Sequence, residues 1–236
     1  MRFKQVGALS YHISRRLVQA LFLPFIRIRV VGAEKGKVPG PCLLAANHLS
    51  HFDPPFFTAT CPRAIDWIAM TELFENPWLA RYFRGVDCIE VDRFGTDTHA
   101  IREAVKRLKA GRVVGVFPEG GIRAGAGSVL EGASFKGGIG LLAQLTGAPV
   151  WPAVILGSDR AYAPRTWRRF RATTVWLLYG DPIEVDRSLP KKAQRESVDQ
   201  ALAESFTKLY ADAQARFQLQ TDDLPKTPQA RKGQEP

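Results

Sequence analysis

The chain has 236 residues, 45% of them apolar, and a formal net charge of +10. This length and composition predict one globular domain, or two small ones, with a sizeable core, and they exclude a chain that is disordered throughout. Its three cysteines, Cys42, Cys61 and Cys88, show no paired spacing. We therefore expect neither a disulfide framework nor a structural zinc site, and interpret the cysteines as small buried side chains in a reducing compartment.

The first thirty residues combine basic and apolar side chains. Six lysine and arginine residues precede the first acidic residue, Glu34, and residues 17–26 are mostly apolar. This apolar run is about half of the roughly 20 residues that a spanning helix needs, and no small-residue cleavage site follows it. We predict that residues 1–30 form an amphipathic helix on an anionic membrane surface. The alternative is a surface helix that packs on its own domain.

A second basic cluster surrounds Tyr162 and Trp167. Its members are Arg160, Arg165, Arg168, Arg169 and Arg171. Basic patches attract phosphate-bearing surfaces, either nucleic acid or anionic lipid. The charge alone does not choose between these two partners.

Strand-like apolar runs alternate with helical patterns along most of the chain. Runs rich in valine and isoleucine predict strands at 26–31, 42–46, 64–70, 88–91, 113–117, 150–156 and 173–179. Apolar residues at helical spacing predict helices at 98–110, 135–145 and 188–217. This alternation indicates an α/β fold with a mostly parallel central sheet flanked by helices. A domain over residues 31–219 is followed by residues 220–236, which are polar and aperiodic and predict a disordered tail.

Ligands of parallel sheets usually bind at the carboxyl ends of strands, and three predicted strands end in unusual polar residues. After the second strand, residues 47–54 read NHLSHFDP. Because Pro54 disfavours the α region for Asp53, we predict a turn in which the Asp53 carboxylate folds back onto His48. Such a carboxylate fixes the imidazole tautomer and leaves the other nitrogen free to act as a base. The alternatives are that Asp53 caps a helix beginning at Pro54, or that His48, His51 and Asp53 bind a metal.

The other two strand ends carry acidic and basic residues. Glu119 lies in a glycine-flanked turn, where backbone amides are free and a ligand can approach closely. We predict that the Glu119 carboxylate accepts from a substrate hydroxyl and that Arg123 holds a phosphate; the alternative is an ordinary solvated turn. Asp92 and Arg93 end a third strand, where a surface salt bridge is the alternative to a place in the same crevice.

Four sequence blocks resemble, in order, the motifs of the glycerolipid acyltransferases typified by 1-acylglycerol-3-phosphate acyltransferase. They are NHLSHFD at 47–53, IEVDR at 89–93, FPEG at 117–120 and APVWP at 148–152. Histidine and aspartate at this spacing arise by chance, whereas four blocks in order are specific. The resemblance covers about residues 40–160 and identifies 31–219 as the acyltransferase domain.

The resemblance implies that His48 is the general base for the acceptor hydroxyl and that Asp53 orients it. The hydroxyl would attack an acyl-CoA or acyl-carrier-protein thioester directly, so no cofactor is implied beyond this donor substrate. The residues implied to bind substrate are Asn47, Arg93, Glu119, Gly120, Arg123 and Pro152. The acceptor would be a lysophospholipid, first of all 1-acylglycerol-3-phosphate. The family also implies a peripheral or monotopic enzyme at the cytoplasmic face of the cell membrane, with no nucleic-acid partner.

Three departures from the family pattern concern the acceptor. The third block usually continues Glu-Gly-Thr-Arg, whereas Gly121 and Ile122 place Arg123 one position late. Cys88 occupies a place where glycine is common, and the fourth block carries Trp151 and Ala153. Another lysolipid or a lyso-aminolipid is therefore an alternative acceptor. A non-catalytic membrane- or nucleic-acid-binding module is an alternative of a different class, and a hydrolase is disfavoured because the G-x-S-x-G motif is missing.

Overall fold

Seven strands form one sheet in the computed structural model, which describes residues 8–37, 39–92, 97–135, 138–168, 170 and 173–232. The strands are β1 (Ile26–Val31), β2 (Cys42–Ala46), β3 (Ile65–Met70), β4 (Ile89–Val91), β5 (Val113–Val116), β6 (Val150–Leu156) and β7 (Thr173–Tyr179). Their order across the sheet is β1-β7-β6-β2-β5-β3-β4. Within these strands β6 and β7 pair antiparallel, and the remaining neighbours pair parallel. The predicted mostly parallel α/β fold is confirmed.

Helices cover both faces of the sheet. They are α1 (Ala8–Phe22), α2 (Asp53–Thr60), α3 (Pro77–Gly85), α4 (Thr98–Lys109), α5 (Ile139–Thr146), α6 (Lys191–Phe217) and α7 (Pro228–Lys232). On one face α2 packs Phe56 and Phe57 into the core. On the other face α4, α5 and α6 contribute Ala104, Leu142 and Leu202. The central strands β2 and β6 are buried along their whole length, which accounts for their unbroken apolar sequence.

Pro152 lies inside the central strand β6, where the missing N–H of proline interrupts the hydrogen-bond ladder. Its carbonyl accepts a hydrogen bond from Gly180 N at 2.9 Å, but its nitrogen cannot return one. The indole Nε1 of Trp151 donates to the Gly180 carbonyl instead, at 3.1 Å. Trp151, which departs from the family pattern, therefore compensates for the proline beside it.

The N-terminal region is not divided from the domain at residue 30 as predicted. The helix α1 ends at Phe22, and β1 pairs in parallel with β7, so this strand belongs to the central sheet. On the inner side of α1, the hydroxyl of Tyr11 accepts from the backbone N–H of Ile65 at 3.2 Å. None of the described helices is both long enough and apolar enough to cross a bilayer.

The predicted disordered tail is wrong for residues 220–232, which we call the C-terminal segment. This segment turns back after α6 and ends in the short helix α7. Arg231 Nε donates to Asp159 Oδ2 at 2.6 Å, and the two side chains are 3% and 0% exposed. These partners stand 72 positions apart, so local composition gives no sign of the buried ion pair. Residues 233–236 of the predicted tail lie outside the described residues.

Candidate active site

The loop that joins β2 to α2 carries the first motif. This β2 loop, residues 47–52, leaves the carboxyl end of β2. The strand β5 pairs in parallel with β2, and β3 pairs in parallel with β5. The carboxyl ends of these strands therefore meet at one edge of the sheet. His48 meets the turn that begins at Phe117 at this edge. The imidazole of His48 stacks on the ring of Phe117, with the two ring centroids 4.1 Å apart.

Asp53 folds back onto His48 as predicted. The imidazole Nδ1 lies 2.8 Å from Asp53 Oδ2, and the carboxylate is fully buried. The same carboxylate accepts from the backbone amides of Leu49 and Ser50, at 2.7 and 2.9 Å, and from the Ser50 hydroxyl at 3.0 Å. Because a carboxylate only accepts, Nδ1 carries the proton and Nε2 keeps its lone pair. The arrangement can accept a proton at Nε2 and stabilise the resulting imidazolium.

Asp53 does not act as the helix cap that was the alternative interpretation. It is the first residue of α2, Phe52 occupies the cap position, and no side chain caps the helix there. The carboxylate bonds back to the β2 loop, so its role is to hold that loop and His48.

Aromatic rings fix the plane of the imidazole. Phe117 stacks on His48 at an interplanar angle of 16°, and Trp67 stacks on the other side of Phe117 at 4°. Gly115 provides the space for Trp67, because a Cβ atom at residue 115 would lie 2.5 Å from that ring. The stack restricts the imidazole to the orientation in which Nδ1 meets Asp53.

Glu119 braces the site through hydrogen bonds within the protein, and its predicted contact with a substrate hydroxyl stays a prediction. Its Oε2 accepts from the His48 backbone N–H at 2.6 Å, and its Oε1 accepts from Ser128 Oγ and Val129 N at 2.8 and 2.9 Å. The side chain is 7% exposed, and burial raises the pKa of Glu119 against the effect of these three donors. Glu119 therefore ties the β2 loop to the turn that contains Ser128.

Asn47 and Pro152 both have structural roles here, and their predicted contacts with substrate stay predictions. Both polar atoms of the Asn47 side chain bond to the backbone of Ile155, at 2.8 and 3.0 Å, and the side chain is fully buried. Asn47 thereby fastens the beginning of the β2 loop to β6. Pro152 is buried within β6, and its ring lies against the position of Gly180.

Gly120 and Arg123 remain at the site. Gly120 has a positive φ of 64° and borders the cavity described below. The backbone N–H of Arg123 donates to the His48 carbonyl at 2.9 Å, while its side chain is exposed and bonds the Ile122 carbonyl. Arg93 lies outside the described residues, and its predicted phosphate contact stays a prediction.

A cavity of about 1050 Å³ borders His48. Its walls come from α1, β3, α3, α4 and α5, and their apolar members include Val18, Ile68, Phe83, Ile101 and Leu142. Sequence reasoning missed the contributions of α1 and α3 because the lining residues are distant in the chain and share no motif. A large, mainly apolar cavity beside a carboxylate-held imidazole fits a fatty acyl chain whose reacting end lies at His48.

Two further predicted clusters have partners of their own. Among the described residues no group of histidine, cysteine, aspartate and glutamate side chains is arranged to hold a metal ion, and His51 Nδ1 lies 2.5 Å from the hydroxyl oxygen of Tyr162. In the basic cluster, Arg160 pairs with Asp223 at 2.5 Å and Arg165 pairs with Asp222 at 3.4 Å. The C-terminal segment therefore neutralises part of the predicted phosphate-attracting patch. Arg169 and Arg171 lie outside the described residues.

The chain matches the family model described as Acyltransferase over residues 27–156, which include the β2 loop, the Glu119 turn and β6. It belongs to this acyltransferase family.

Two bacterial proteins named 1-acyl-sn-glycerol-3-phosphate acyltransferase are similar to it. The protein from Bacillus subtilis (strain 168) is 28% identical over 150 residues, which are 63% of this chain and 70% of that protein. The protein from Borreliella burgdorferi is 28% identical over 159 residues, 65% of this chain and 61% of that protein, so the match spans less than two thirds of its length.

A solved structure has the same fold. It is the crystal structure of the 1-acyl-sn-glycerophosphate (LPA) acyltransferase PlsC from Thermotoga maritima, with a TM-score of 0.58 and 25% sequence identity. The similarity covers 87% of this chain and 83% of that one.

Proposed function

We propose that this acyltransferase moves a fatty acyl chain from acyl-CoA or acyl-carrier-protein to the free hydroxyl of 1-acylglycerol-3-phosphate, which gives phosphatidic acid. The observation that carries the proposal is the His48–Asp53 pair bordering a large, mainly apolar cavity. The names of the similar proteins from Bacillus, Borreliella and Thermotoga support this acceptor.

In this mechanism His48 is the general base. Its Nε2 takes the proton of the acceptor hydroxyl while the hydroxyl oxygen attacks the thioester carbonyl carbon. The tetrahedral intermediate collapses, the C–S bond breaks, and the leaving thiolate takes the proton back from His48. Asp53 stabilises the imidazolium between these two steps, and the Phe117 stack keeps the ring in position.

Arg93 and Arg123 bind the acceptor phosphate in this proposal. Guanidinium groups suit phosphate because they donate two parallel hydrogen bonds. The backbone of Arg123 already bonds the His48 carbonyl, so a phosphate held by Arg123 lies within reach of the base. Arg123→Ala should therefore raise the acceptor KM far more than the thioester KM.

Product analysis of a matched pair of histidine variants tests the proposal. His48→Ala should abolish acyl transfer, while His99→Ala, which removes an exposed imidazole from α4, should leave turnover unchanged. Purified protein receives labelled acyl-CoA or acyl-carrier-protein with a panel of lysolipids, and mass spectrometry identifies the product. Turnover retained in His48→Ala would refute the mechanism. A preference for another lysolipid would refute the acceptor, and no transfer by the wild type would favour a binding module.

We further propose that the enzyme docks peripherally on an anionic membrane through α1 and α3. Leu9, Ile13, Leu17 and Leu21 form a stripe on α1, and each is between 52% and 73% exposed. Ser14 Oγ lies 2.6 Å from Tyr82 Oη, which joins α1 to α3, and Trp78 on α3 is 82% exposed. An exposed apolar stripe flanked by arginines is typical of helices that lie in a membrane interface.

Vesicle sedimentation tests the docking surface. The double variant Ile13→Glu/Leu17→Glu should lose binding to phosphatidylglycerol-containing vesicles, because it places two charges in the stripe. The control Leu145→Glu changes an exposed apolar residue of α5, which lies on the opposite face of the sheet, and should bind like the wild type. Equal binding by all three proteins would reject the surface. The cytoplasmic face remains part of the proposal and requires labelling of intact cells.

A further inference from the structure

The loop after β6 reaches the β2 loop through one side chain, Tyr162. This β6 loop is the short helical turn Ser158–Tyr162. The Tyr162 hydroxyl oxygen accepts from the backbone N–H of His51 at 3.0 Å and lies 2.5 Å from His51 Nδ1. Because the hydroxyl oxygen already accepts from His51 N, its own proton is available to the lone pair of Nδ1.

A neutral imidazole that accepts at Nδ1 carries its proton on Nε2. Nε2 is on the side of the ring away from Tyr162, and His51 borders the same cavity as His48. Partial burial and the neighbouring His48 lower the pKa of His51; Lys232 acts in the same direction, and Asp53 opposes them. The lowered pKa favours the uncharged imidazole, and His51 in that form has one N–H to donate at the cavity.

The C-terminal segment holds the β6 loop against this site. Asp159 in the β6 loop is fully buried and accepts from Arg231 Nε at 2.6 Å and from Lys226 N at 3.1 Å. Lys232 Nζ lies 5.3 Å from the centre of the Tyr162 ring, a cation–π contact. The position of Tyr162 therefore depends on residues about seventy positions further along the chain.

We propose that the Tyr162 hydroxyl fixes His51 as the Nε2–H tautomer and that this N–H donates to an anionic oxygen of the bound substrate. Tyr162 is then a positioning residue, and His51 contacts the substrate. An uncharged donor suits this place, because a positive charge beside His48 would lower the affinity of the base for its proton. The substrate contact rests on the proposed function, whereas the tautomer does not.

Two oxygens of the reaction have the required chemistry. One belongs to the phosphate of the acceptor, and the other is the thioester carbonyl oxygen, which becomes negative as the hydroxyl attacks. Loss of a phosphate contact raises the acceptor KM, whereas loss of a contact made only in the transition state lowers kcat. Kinetics of a His51 variant therefore distinguish these two sources.

The tautomer is tested by imidazole nitrogen NMR on the full chain without substrate. The protein has four histidines, and the His51 signals are assigned by their loss in His51→Gln. Wild-type His51 should show an unprotonated Nδ1 and a protonated Nε2. Tyr162→Phe keeps the ring and removes the hydroxyl, and it should shift His51 to a tautomer mixture with a higher pKa. The control Tyr210→Phe removes a hydroxyl in α6, outside the cavity lining, and should leave His51 unchanged. A protonated Nδ1 in the wild type, or no change in Tyr162→Phe, would overturn the proposal.

Steady-state kinetics test the substrate contact. Tyr162→Phe and His51→Ala should each lose about tenfold in kcat/KM, the size expected for one hydrogen bond. In Tyr162→Phe the loss of kcat/KM should be larger at acidic pH, where His51 becomes charged. The charged groups that face His51 are His48 and Lys232, which oppose this charge, and Asp53, which favours it. Unchanged kinetics in His51→Ala would overturn the contact. An inactive wild type would instead refute the proposed function, while the NMR result would still stand.

Discussion

The β2 loop and the β6 loop meet at His51, but they are held in opposite ways. In the β2 loop, the Asp53 carboxylate binds donors that lie three to five positions away in the chain. In the β6 loop, Ser158 Oγ, Asp159 Oδ1 and Arg160 Nε are buried without a hydrogen-bond partner among the described residues. Asp159 and Arg160 of this loop form ion pairs with Arg231 and Asp223, which belong to the C-terminal segment.

The Asp53 carboxylate holds the β2 loop by contacts with residues nearby in the sequence, whereas the β6 loop is held by residues of the distant C-terminal segment. A loop that satisfies its own polar groups keeps its geometry when distant parts of the chain change. A loop whose buried carboxylate depends on a distant arginine loses its geometry with that arginine. Damage to the C-terminal segment should therefore spare the His48–Asp53 pair and disturb Tyr162.

The largest effect should come from removing the Asp53 charge, which holds the β2 loop from the first residue of α2. Asp53→Asn keeps one oxygen for the two backbone amides and places its NH₂ group near the Ser50 hydroxyl, which can accept. The loop should persist, but the imidazolium loses its counter-charge. We expect kcat to fall on the order of 10³-fold or more, with little change in the free energy of unfolding.

Asp53→Ala provides the contrast. It should also be inactive, but it leaves the donors of Leu49 and Ser50 buried without an acceptor. Urea denaturation should therefore show a loss of about 2–4 kcal/mol. Activity near the wild-type value in Asp53→Asn would mean that Asp53 only builds the loop.

The next largest effect should come from the C-terminal segment. Arg231→Met leaves the Asp159 carboxylate buried without its cation, so the free energy of unfolding should fall by about 3–5 kcal/mol. A matched control is Arg165→Met, which breaks the ion pair between Arg165, three residues after the β6 loop, and Asp222. The side chains of Arg165 and Asp222 are 73% and 65% exposed. That pair should contribute less than about 1 kcal/mol. Equal losses in the two variants would contradict long-range support of the β6 loop.

Much of the fold could be predicted because most elements carry their own signal. The strands at 150–156 and 173–179 have the bounds that the sequence predicted, since the apolar runs are continuous and end at glycine. The helix α3 was not predicted, although Asn76 and Pro77 mark its start and Asn76 Oδ1 accepts from Trp78 N at 3.0 Å. The amphipathic stretch of α3 is too short to show a clear helical period. The asparagine cap followed by proline is the signal that predicts this helix.

In the site, too, contacts between neighbours in the sequence could be predicted, whereas contacts between distant residues could not. The contact between His48 and Asp53 follows from their spacing and from Pro54, and it is confirmed. Asn47 was assigned to substrate by the family resemblance, and Glu119 by the resemblance and by its place in a turn at a strand end. Their partners, Ile155 and Val129, lie on other parts of the chain, and spacing within a motif carries no information on such contacts. The catalytic role of His48 stays a prediction until the variants are measured.

The smallest effect concerns Glu119. This residue is one of the long-range supports of the β2 loop, so it tests how far that loop depends on distant parts of the chain. Its Oε2 accepts from His48 N, 71 positions away. Glu119→Gln replaces one acceptor oxygen by an NH₂ group that faces an N–H or O–H donor, so the free energy of unfolding should fall by about 1–3 kcal/mol. Burial raises the pKa of Glu119 above its ordinary value of 4.5.

This raised pKa fixes the sign of a pH dependence. Between the unfolded and folded pKa values the native state binds more protons than the unfolded state, so the contribution of Glu119 to stability falls as pH rises through that window. The difference in the free energy of unfolding between wild type and Glu119→Gln should therefore shrink with rising pH above about 4.5 and then level off. A difference that grows over this range would mean that the three hydrogen bonds to the carboxylate outweigh its burial, and that Glu119 supports the β2 loop best when it is ionised.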